Sequence, residues 1–261
     1  MSTDRAFVPG RGLTLQLDGH VATLSFSRPP LNFFDAELIQ DLADTLDYLD
    51  QLPACRVTVL VAEGTVFCAG ADFSAADQCD PQYPRRVYKS AVRLFRTRKP
   101  LIGVVEGAAV GGGLGLALVA DFRVTSAKAR FSANFNRLGI HQGFGISVTM
   151  PRLVGPQMAS LLIATGRRID GTEAVRIGLA DVLAEPGQER QAAQALAEEI
   201  AASAPGAVMS SRATLRMGLA DAVDQIIDRE ASEQEWQIVS ADFAEGIRAM
   251  AERRQPVFTG E

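Results

Sequence analysis

The residues with the clearest chemical potential are three consecutive glycines, Gly111–Gly113, and a further glycine, Gly115, close behind them. They lie in the stretch VVEGAAVGGGLGLALVADFRV, between two apolar runs. The pattern predicts a strand, a tight turn and a helix. A helix start exposes N–H groups without partners, and glycine lets a ligand approach that backbone closely. The turn could therefore hold an anion or a developing oxyanion, although tight packing of the helix on the strand is the alternative explanation.

Known nucleotide-binding glycine motifs do not fit this turn. GGGLG lacks the Lys-Ser/Thr pair of a Walker A loop and the Gly-x-Gly-x-x-Gly spacing of dinucleotide folds. A second turn of small residues, CAGADF at Cys68–Phe73, also follows an apolar strand. If the backbone N–H groups of the two turns converge, they form a two-donor oxyanion hole. Such a hole suits a thioester carbonyl on its way to an enolate.

Composition limits the class of protein. The 261-residue chain is 47% hydrophobic and has a net charge of -5, which supports one substantial core. No basic stripe is available for phosphates, so nucleic acid is not expected as a partner. No apolar run reaches the roughly 18 residues of a membrane span, so no membrane partner is expected. The first residues lack an apolar signal core, and a cytoplasmic location is therefore expected.

Metal and disulfide chemistry find little support. Cys55, Cys68 and Cys79 follow no metal or disulfide spacing, so reduced thiols are the simplest interpretation. The histidines are limited to His20 and His141, which makes a zinc site improbable. No metal ligand is assigned.

The pattern of elements predicts an α/β protein with a mostly buried sheet, because strand–turn–helix units alternate up to about residue 150. LTLQLDGHVATLSFS predicts a β-hairpin around Asp18-Gly19. DAELIQDLADTLDYLDQL predicts a helix with Asp35 as its N-cap. YPRRVYKSAVRLFRTRKP predicts a basic amphipathic helix that ends before Pro100. From Glu189 onward the pattern is helical.

Five stretches resemble the crotonase (enoyl-CoA hydratase/isomerase) superfamily. They occur in family order and cover nearly the whole chain: RPPLNFFDAELIQDL, FCAGADF, KPLIGVVEGAAVGGGLGLALVADFRV, PRLVG and TGRRIDGTEAVRIGLADVL. The resemblance implies a spiral of ββα units followed by a helical trimerisation region, usually assembled as a dimer of trimers. It divides the chain into an acyl-CoA-binding core, residues 1–188, and a C-terminal helical oligomerisation region, residues 189–261.

The resemblance also assigns binding residues. Ala71 and Gly112 match the two positions whose backbone N–H groups hold the carbonyl oxygen of a coenzyme A thioester. The CoA adenine is expected near the CAGADF turn. The resulting set of expected binding residues is Arg28, Ala69, Ala71, Asp72, Phe73 and Gly112. Arg28 could reach a CoA phosphate or be a solvated surface arginine, and Asp72 could instead cap a turn. Coenzyme A enters as part of the substrate, and no permanently bound cofactor is implied.

The sequence departs from the family at the acid–base positions. Hydratases of the family use two glutamates around a catalytic water, and Gly115 and Phe135 stand in their places here. A third acidic position, used by dienoyl-CoA isomerases and aryl-CoA dehalogenases, corresponds to Gly143. None of the three can transfer a proton, a function that typically contributes about a hundred- to ten-thousand-fold to rate.

Two other side chains are candidates for proton transfer. His141, in LGIHQGFG, is a candidate because the histidine side chain is suited to proton transfer, but it could be a packing or surface residue. Glu106 ends the strand before the glycines, where it could instead cap a turn or pair with an arginine. Phe135 and Phe144 are expected to make the acyl pocket more apolar.

Three hypotheses follow. The first is a crotonase-type lyase or isomerase that acts through a thioester enolate with non-standard acid–base residues. The second is a non-catalytic protein that binds or carries acyl-CoA. The third is a structural oligomer subunit, which the two intact turns make the least favoured.

Overall fold

The computed structural model of the protein describes residues 7–73 and 80–260, so Cys79 lies outside the described residues. The strands are β1 Leu13–Asp18, β2 Val21–Phe26, β3 Val57–Ala62, β4 Leu101–Val105, β5 Ala108–Val110, β6 Phe122–Ser126, β7 Arg130–Ser132, β8 Ile169–Asp170 and β9 Val182–Ala184. The helices are α1 Ala36–Gln51, α2 Tyr83–Phe95, α3 Gly112–Ala117, α4 Ile146–Thr165, α5 Gly171–Arg176, α6 Glu189–Ala201, α7 Pro205–Leu215, α8 Leu219–Gln237 and α9 Ala241–Ala251. A short 3-10 helix covers Asn134–Leu138.

A six-stranded sheet in the order β1-β2-β3-β4-β6-β9 lies at the centre, and β5, β7 and β8 form a smaller sheet. β1 and β2 pair antiparallel with Asp18 opposite Val21, which confirms the predicted hairpin and places its turn at Gly19 and His20. The other pairs of the large sheet are parallel. Because parallel strands end at the same edge, the turns that follow β3 and β4 lie near each other. The predicted α/β class is confirmed.

The two faces of the large sheet are buried by different elements. In β3, Val57, Val59 and Val61 point to one face, where they pack with α6. Leu60 and Ala62 point to the other face and join the main core. This alternation follows from the two-residue period of a strand and explains why β3 is apolar throughout. α6 presents alanines to the sheet, so the helix can approach closely.

Two helices form where the sequence predicts them, although α2 ends at Phe95, several residues before Pro100. Asp35 caps α1, and its side chain accepts a hydrogen bond from Leu38 N at 2.7 Å. The basic residues of α2 and the turn after it bind acidic residues of neighbouring helices. Arg85 pairs with Asp228 and Glu235 of α8, and Arg93 pairs with Asp44 and Asp47 of α1. These contacts join α2 to α1 and α8.

The predicted division at residue 188 coincides with the start of α6. That helix nevertheless packs on the central sheet, whereas α8 packs on α2 and α4, and α9 packs on the 3-10 helix. Helices α6, α8 and α9 therefore pack on the core of the same chain, and the separate role of the C-terminal helices as an oligomerisation region stays a prediction. Among the described helices, none combines the length and apolarity needed to cross a membrane.

Replacing Ala197 of α6 by Leu is expected to destabilise the protein by about 1–3 kcal/mol, because a larger side chain has no room against the sheet. Ala197 is fully buried. Ala195, on the exposed side of the same helix, provides the matched control: Ala195→Leu is expected to change the free energy of unfolding by less than about 0.5 kcal/mol. Urea denaturation followed by circular dichroism measures both. Equal stability of A197L and the unmodified protein would contradict the close packing of α6.

Candidate active site

The two small-residue turns lie in direct contact. Cys68 N donates to Ala108 O, and Val110 N donates to Cys68 O, both at 3.0 Å. Gly70 adopts a φ of +92°, and a Cβ at that position would lie 3.5 Å from Gly112 N and 3.0 Å from Val110 O. A glycine at residue 70 is therefore required both by its backbone conformation and by the space available. The structure thus brings the segment before Ala71 against the start of α3.

Two backbone N–H groups at this junction are free to bind a ligand. Among the described residues, no hydrogen bond starts from Ala71 N or Gly112 N. Their neighbours are paired: Gly111 N donates to Ser132 O at 2.8 Å, and Leu114 N donates to Gly111 O at 3.0 Å. Unpaired N–H groups at the meeting point of two turns are the donors an oxyanion hole requires.

The consecutive glycines serve different purposes. A Cβ on Gly113 would lie 2.1 Å from the backbone oxygen of Cys68, so this glycine allows the close approach of the two turns. A Cβ on Gly112 would lie 2.5 Å from ring atoms of Phe34. Tight packing therefore applies to both Gly112 and Gly113, and Gly112 in addition has an unpaired N–H.

The Cys68 side chain is not a candidate nucleophile. It is fully buried beneath the turn, and burial raises the pKa of its thiol to about 12. The thiol therefore stays protonated near neutral pH, and the protonated form is not nucleophilic.

Aromatic side chains occupy the space beside Gly115 and Gly143, two of the positions that the resemblance matches to acid–base residues. A Cβ on Gly115 would lie 2.6 Å from Phe144 Cβ, and a Cβ on Gly143 would lie 2.0 Å from Tyr88 Oη. Phe135 is itself buried. At positions 115 and 143, the missing side chain is replaced by a ring from elsewhere in the chain.

These rings form a continuous row. The ring centroids of Phe34 and Phe144 are 5.4 Å apart, and those of Phe144 and Tyr88 are 6.1 Å apart. The sequence analysis identified Phe144 as a pocket residue but missed Phe34 and Tyr88. Phe34 lies in the RPPLNFFDAELIQDL stretch that resembles the family, directly before the N-cap of α1. That position could have indicated it as a site residue. Tyr88 lies on the apolar face of a predicted helix, which by itself indicates only core packing.

The backbone around Phe144 is strained. Its φ is +62°, and the next residue, Gly145, has a φ of +75°. A bulky side chain in the left-handed region costs on the order of 1–3 kcal/mol, so the surrounding structure must hold it there.

Helix α8 holds this loop through side chains on one helical face. Glu230 accepts hydrogen bonds from Gly145 N at 2.8 Å and Ser147 N at 3.0 Å. One turn later, Gln234 accepts from Tyr88 Oη at 2.9 Å and donates to His141 O at 2.6 Å. Glu230 and Gln234 are both buried, and burial raises the pKa of the Glu230 carboxyl above its usual range.

His141 is tied to this loop and to α8. Its backbone N donates to Gln237 Oε1 at 2.6 Å, and its Nδ1 is 2.7 Å from Gln142 O. The ring is half-buried. These partners belong to the loop and to α8 rather than to the two turns, and a catalytic role for His141 stays a prediction.

Glu106 is engaged in an ion pair outside the two turns. Its carboxylate accepts hydrogen bonds from Arg190 of α6 at 3.0 and 3.2 Å. The same guanidinium contacts Glu63 and the backbone oxygen of Ala62. Pairing with an arginine, one of the alternatives for Glu106, is therefore present. A role of Glu106 in proton transfer stays a prediction.

The remaining predicted binding residues surround the CAGADF turn. Arg28 lies 3.4 Å from Glu37 and 3.9 Å from Asp35, and its buried Nε has no hydrogen-bond partner among the described residues. Ala69 N donates to Leu31 O at 3.1 Å. Phe73 packs edge-on against Phe243 of α9, with centroids 5.2 Å apart. Asp72 directly follows the bridge between Phe34 and Ala71.

A cavity of about 570 Å³ lies at the other end of the sheet, where Pro100 and Phe122 mark the starts of β4 and β6. α7 and the arginines Arg123, Arg212 and Arg216 also line it. The candidate site instead follows the ends of β3 and β5. The unpaired N–H donors lie in the two turns and not in this cavity. The candidate site is therefore placed at the turns, although the cavity is large.

Comparison with known proteins identifies the family. A family model described as Enoyl-CoA hydratase/isomerase matches residues 16–261. The chain belongs to the enoyl-CoA hydratase/isomerase family. It is 30% identical over 252 residues to the crotonyl-CoA hydratase of Syntrophomonas wolfei, covering 94% of this chain and 97% of that protein. It is also 30% identical to the short-chain-enoyl-CoA hydratase of Clostridium acetobutylicum, covering 92% of this chain and 95% of that protein.

Solved structures confirm the fold of this enoyl-CoA hydratase/isomerase family member. The crystal structure of an enoyl-CoA hydratase/isomerase from Pseudoalteromonas atlantica superimposes with a TM-score of 0.84 at 29% identity. The match covers 95% of this chain and 100% of that chain. The predicted membership of the crotonase superfamily and its fold are therefore confirmed.

Replacing Gly113 by Ala is expected to destabilise the family member by about 1–3 kcal/mol, because the new methyl group would collide with the Cys68 backbone. Gly206, in α7, has open space around its Cβ position. Gly206→Ala is therefore expected to be neutral or to stabilise by up to about 1 kcal/mol through helix propensity. Thermal denaturation of both variants measures the difference. A G113A variant as stable as G206A would contradict the direct contact of the two turns.

Proposed function

We propose that this protein binds a coenzyme A thioester and holds its carbonyl oxygen between the N–H groups of Ala71 and Gly112. The observation that carries this proposal is the pair of unpaired N–H groups where the two turns meet. Relatives across nearly the full chain are named as hydratases of crotonyl-CoA and of short-chain enoyl-CoA. Those substrates share a thioester carbonyl conjugated to a double bond.

Two N–H donors would favour chemistry through an enolate. Negative charge on the thioester oxygen increases when the enolate forms, so donors fixed around that oxygen stabilise the transition state more than the ground state. Loss of one such donor in other enzymes costs about 2.7–4 kcal/mol. The proposed reaction class is therefore a lyase or isomerase reaction on acyl-CoA.

The CoA portion is placed along the Ala69–Phe73 turn, as the resemblance implies. Arg28 lies at the start of α1, beside Asp35 and Glu37, and its buried Nε has no acceptor among the described residues. A phosphate oxygen of CoA is a suitable acceptor for a guanidinium group. Coenzyme A is thus treated as part of the substrate.

Proton transfer is assigned to non-standard groups. Gly115 and Phe135 lack ionisable side chains, so the family's glutamate pair is not available at the matching positions. His141 is the first candidate, because an imidazole exchanges protons near neutral pH. Glu106 is the second, although its carboxylate is hydrogen-bonded to Arg190.

A second function, binding or carrying acyl-CoA without turnover, is favoured by the aromatic rings at the acid–base positions. Phe144 and Tyr88 fill the space beside Gly115 and Gly143. Such packing leaves the proposed oxyanion hole intact while removing the usual acids. This alternative requires no proton donor.

One experiment separates the two functions. Purified protein is assayed with crotonyl-CoA by the loss of enoyl absorbance, and butyryl-CoA is titrated by calorimetry. Turnover that falls at least tenfold in His141→Ala would support the lyase or isomerase with His141 as its proton-transfer group. Binding without turnover would favour the carrier. Absence of binding would contradict both.

Replacing Ala71 by Pro is expected to weaken binding of butyryl-CoA and to lower any turnover by about 10²–10³-fold, because proline has no N–H to donate. Ala71→Ser keeps the N–H and is the matched control, expected to stay within about threefold of the unmodified protein. Calorimetry gives affinity, and circular dichroism verifies that both variants fold. Equal affinity in A71P and A71S would remove the Ala71 N–H from the proposal.

We further propose that the chain assembles as a homotrimer or a dimer of trimers. α7 has no buried residue in the single chain, and Leu215 and Met217 at its end are 74% and 76% exposed. Exposed apolar side chains of this size are typical of contact surfaces.

Replacing both Leu215 and Met217 by Glu is therefore expected to shift the assembly toward monomer, because charges would be buried in the contact. Size-exclusion chromatography with light scattering measures the mass. Leu17→Glu, at an exposed position on the edge strand β1, is the control and is expected to leave the mass unchanged. A monomeric unmodified protein at micromolar concentration would contradict the proposed assembly.

A further inference from the structure

Phe144 is an unusual residue for its position. Among the described residues other than glycine, only Asn32, Phe144 and Arg253 have a positive φ. Asn tolerates this conformation well, whereas a buried aromatic residue does so rarely. The next residue also has a positive φ, but it is a glycine, Gly145, which adopts this conformation without strain. Position 144 therefore carries an aromatic ring in a backbone conformation that a glycine would adopt more easily. This indicates that the ring itself is required.

The ring closes the space next to the proposed oxyanion hole. Gly112 and Gly115 are three residues apart and share one face of α3. A Cβ on Gly115 would lie 2.6 Å from Phe144 Cβ, and a Cβ on Gly112 would lie 3.8 Å from Phe144 Cδ2. Phe34 covers the same face at Gly112. An acyl chain attached to a carbonyl at Gly112 therefore meets these two rings first.

The ring cannot easily withdraw. Tyr88 packs behind it with a centroid distance of 6.1 Å, and Tyr88 is itself fixed by its hydrogen bond to Gln234. Glu230 holds the next residue through Gly145 N. α8 approaches so closely that a Cβ on Gly145 would lie 2.9 Å from Val223 Cγ1. Displacing Phe144 would require α8 and α2 to move as well.

We propose that Phe144 is a specificity-determining residue that ends the acyl pocket and restricts the ligand to CoA thioesters with a short, uncharged acyl group. This inference rests on the proposed function, because it places the thioester carbonyl at Gly112. Phe34 and Phe144 present only ring carbons, so a charged acyl group would be desolvated without a partner. A long apolar chain would need the volume that the Phe144 ring occupies.

The test measures chain-length preference by calorimetric titration of butyryl-CoA and octanoyl-CoA. The unmodified protein is expected to bind butyryl-CoA at least tenfold more tightly than octanoyl-CoA. Phe144→Gly removes the ring and suits the positive φ. It is expected to gain at least tenfold in affinity for octanoyl-CoA, so that the ratio of the two affinities shifts toward the longer chain. Phe144→Leu, which opens less space, is expected to lie between the two.

Phe26, an equally buried ring in β2, provides the control. Phe26→Leu is expected to lower the melting temperature without changing the ratio of the two affinities. Two outcomes would overturn the role of Phe144 while leaving the proposed function standing. One is equal affinity of the unmodified protein for butyryl-CoA and octanoyl-CoA, and the other is an unchanged ratio in F144G and F144L. Absence of binding for both thioesters in every variant would instead overturn the proposed function and this assignment with it.

Discussion

The contact between the backbones of two turns is the constraint on which the site depends. Cys68 O accepts from Val110 N and lies 2.1 Å from where a Cβ on Gly113 would be. Side chains at residues 70 and 113 would force the turns apart, and the N–H groups of Ala71 and Gly112 would then point to different places. The glycines therefore act first on geometry. Their contribution to binding follows from the donors that this geometry leaves unpaired.

The remainder of the chain maintains this contact from two sides. β5 fixes the start of the glycine turn, and its pairing with Cys68 brings the CAGADF turn against it. From the other side, α8 fixes the loop that carries Phe144, because Glu230 accepts hydrogen bonds from two backbone N–H groups of that loop. A buried carboxylate is costly unless it is hydrogen-bonded, so the helix and the loop hold each other in place. The C-terminal helices thus contribute directly to the shape of the site.

Local pattern was sufficient to predict the hairpin, α1, α2 and the two small-residue turns. The hairpin at Asp18, the N-cap at Asp35 and the glycine turn are each encoded within about ten neighbouring residues, where periodicity and turn chemistry operate. The row Phe34, Tyr88 and Phe144 could not be predicted this way, because its members come from three separate segments. The same holds for Glu106, whose partner Arg190 is far along the chain. Pairing at a distance depends on the assembled fold, which a single sequence does not display.

The rings beside Gly115 and Gly143 are held in place by the surrounding fold. Gly115 leaves room that Phe144 fills, and Gly143 leaves room that Tyr88 fills. A glutamate placed at residue 115 alone would collide with Phe144, which α8 and Tyr88 prevent from moving aside. Recovering a two-glutamate site would therefore require changes in the loop, in α2 and in α3 together. The unpaired N–H groups of Ala71 and Gly112 belong to backbone that none of these side chains forms. Their placement therefore does not depend on whether residues 115, 135 and 143 are acidic.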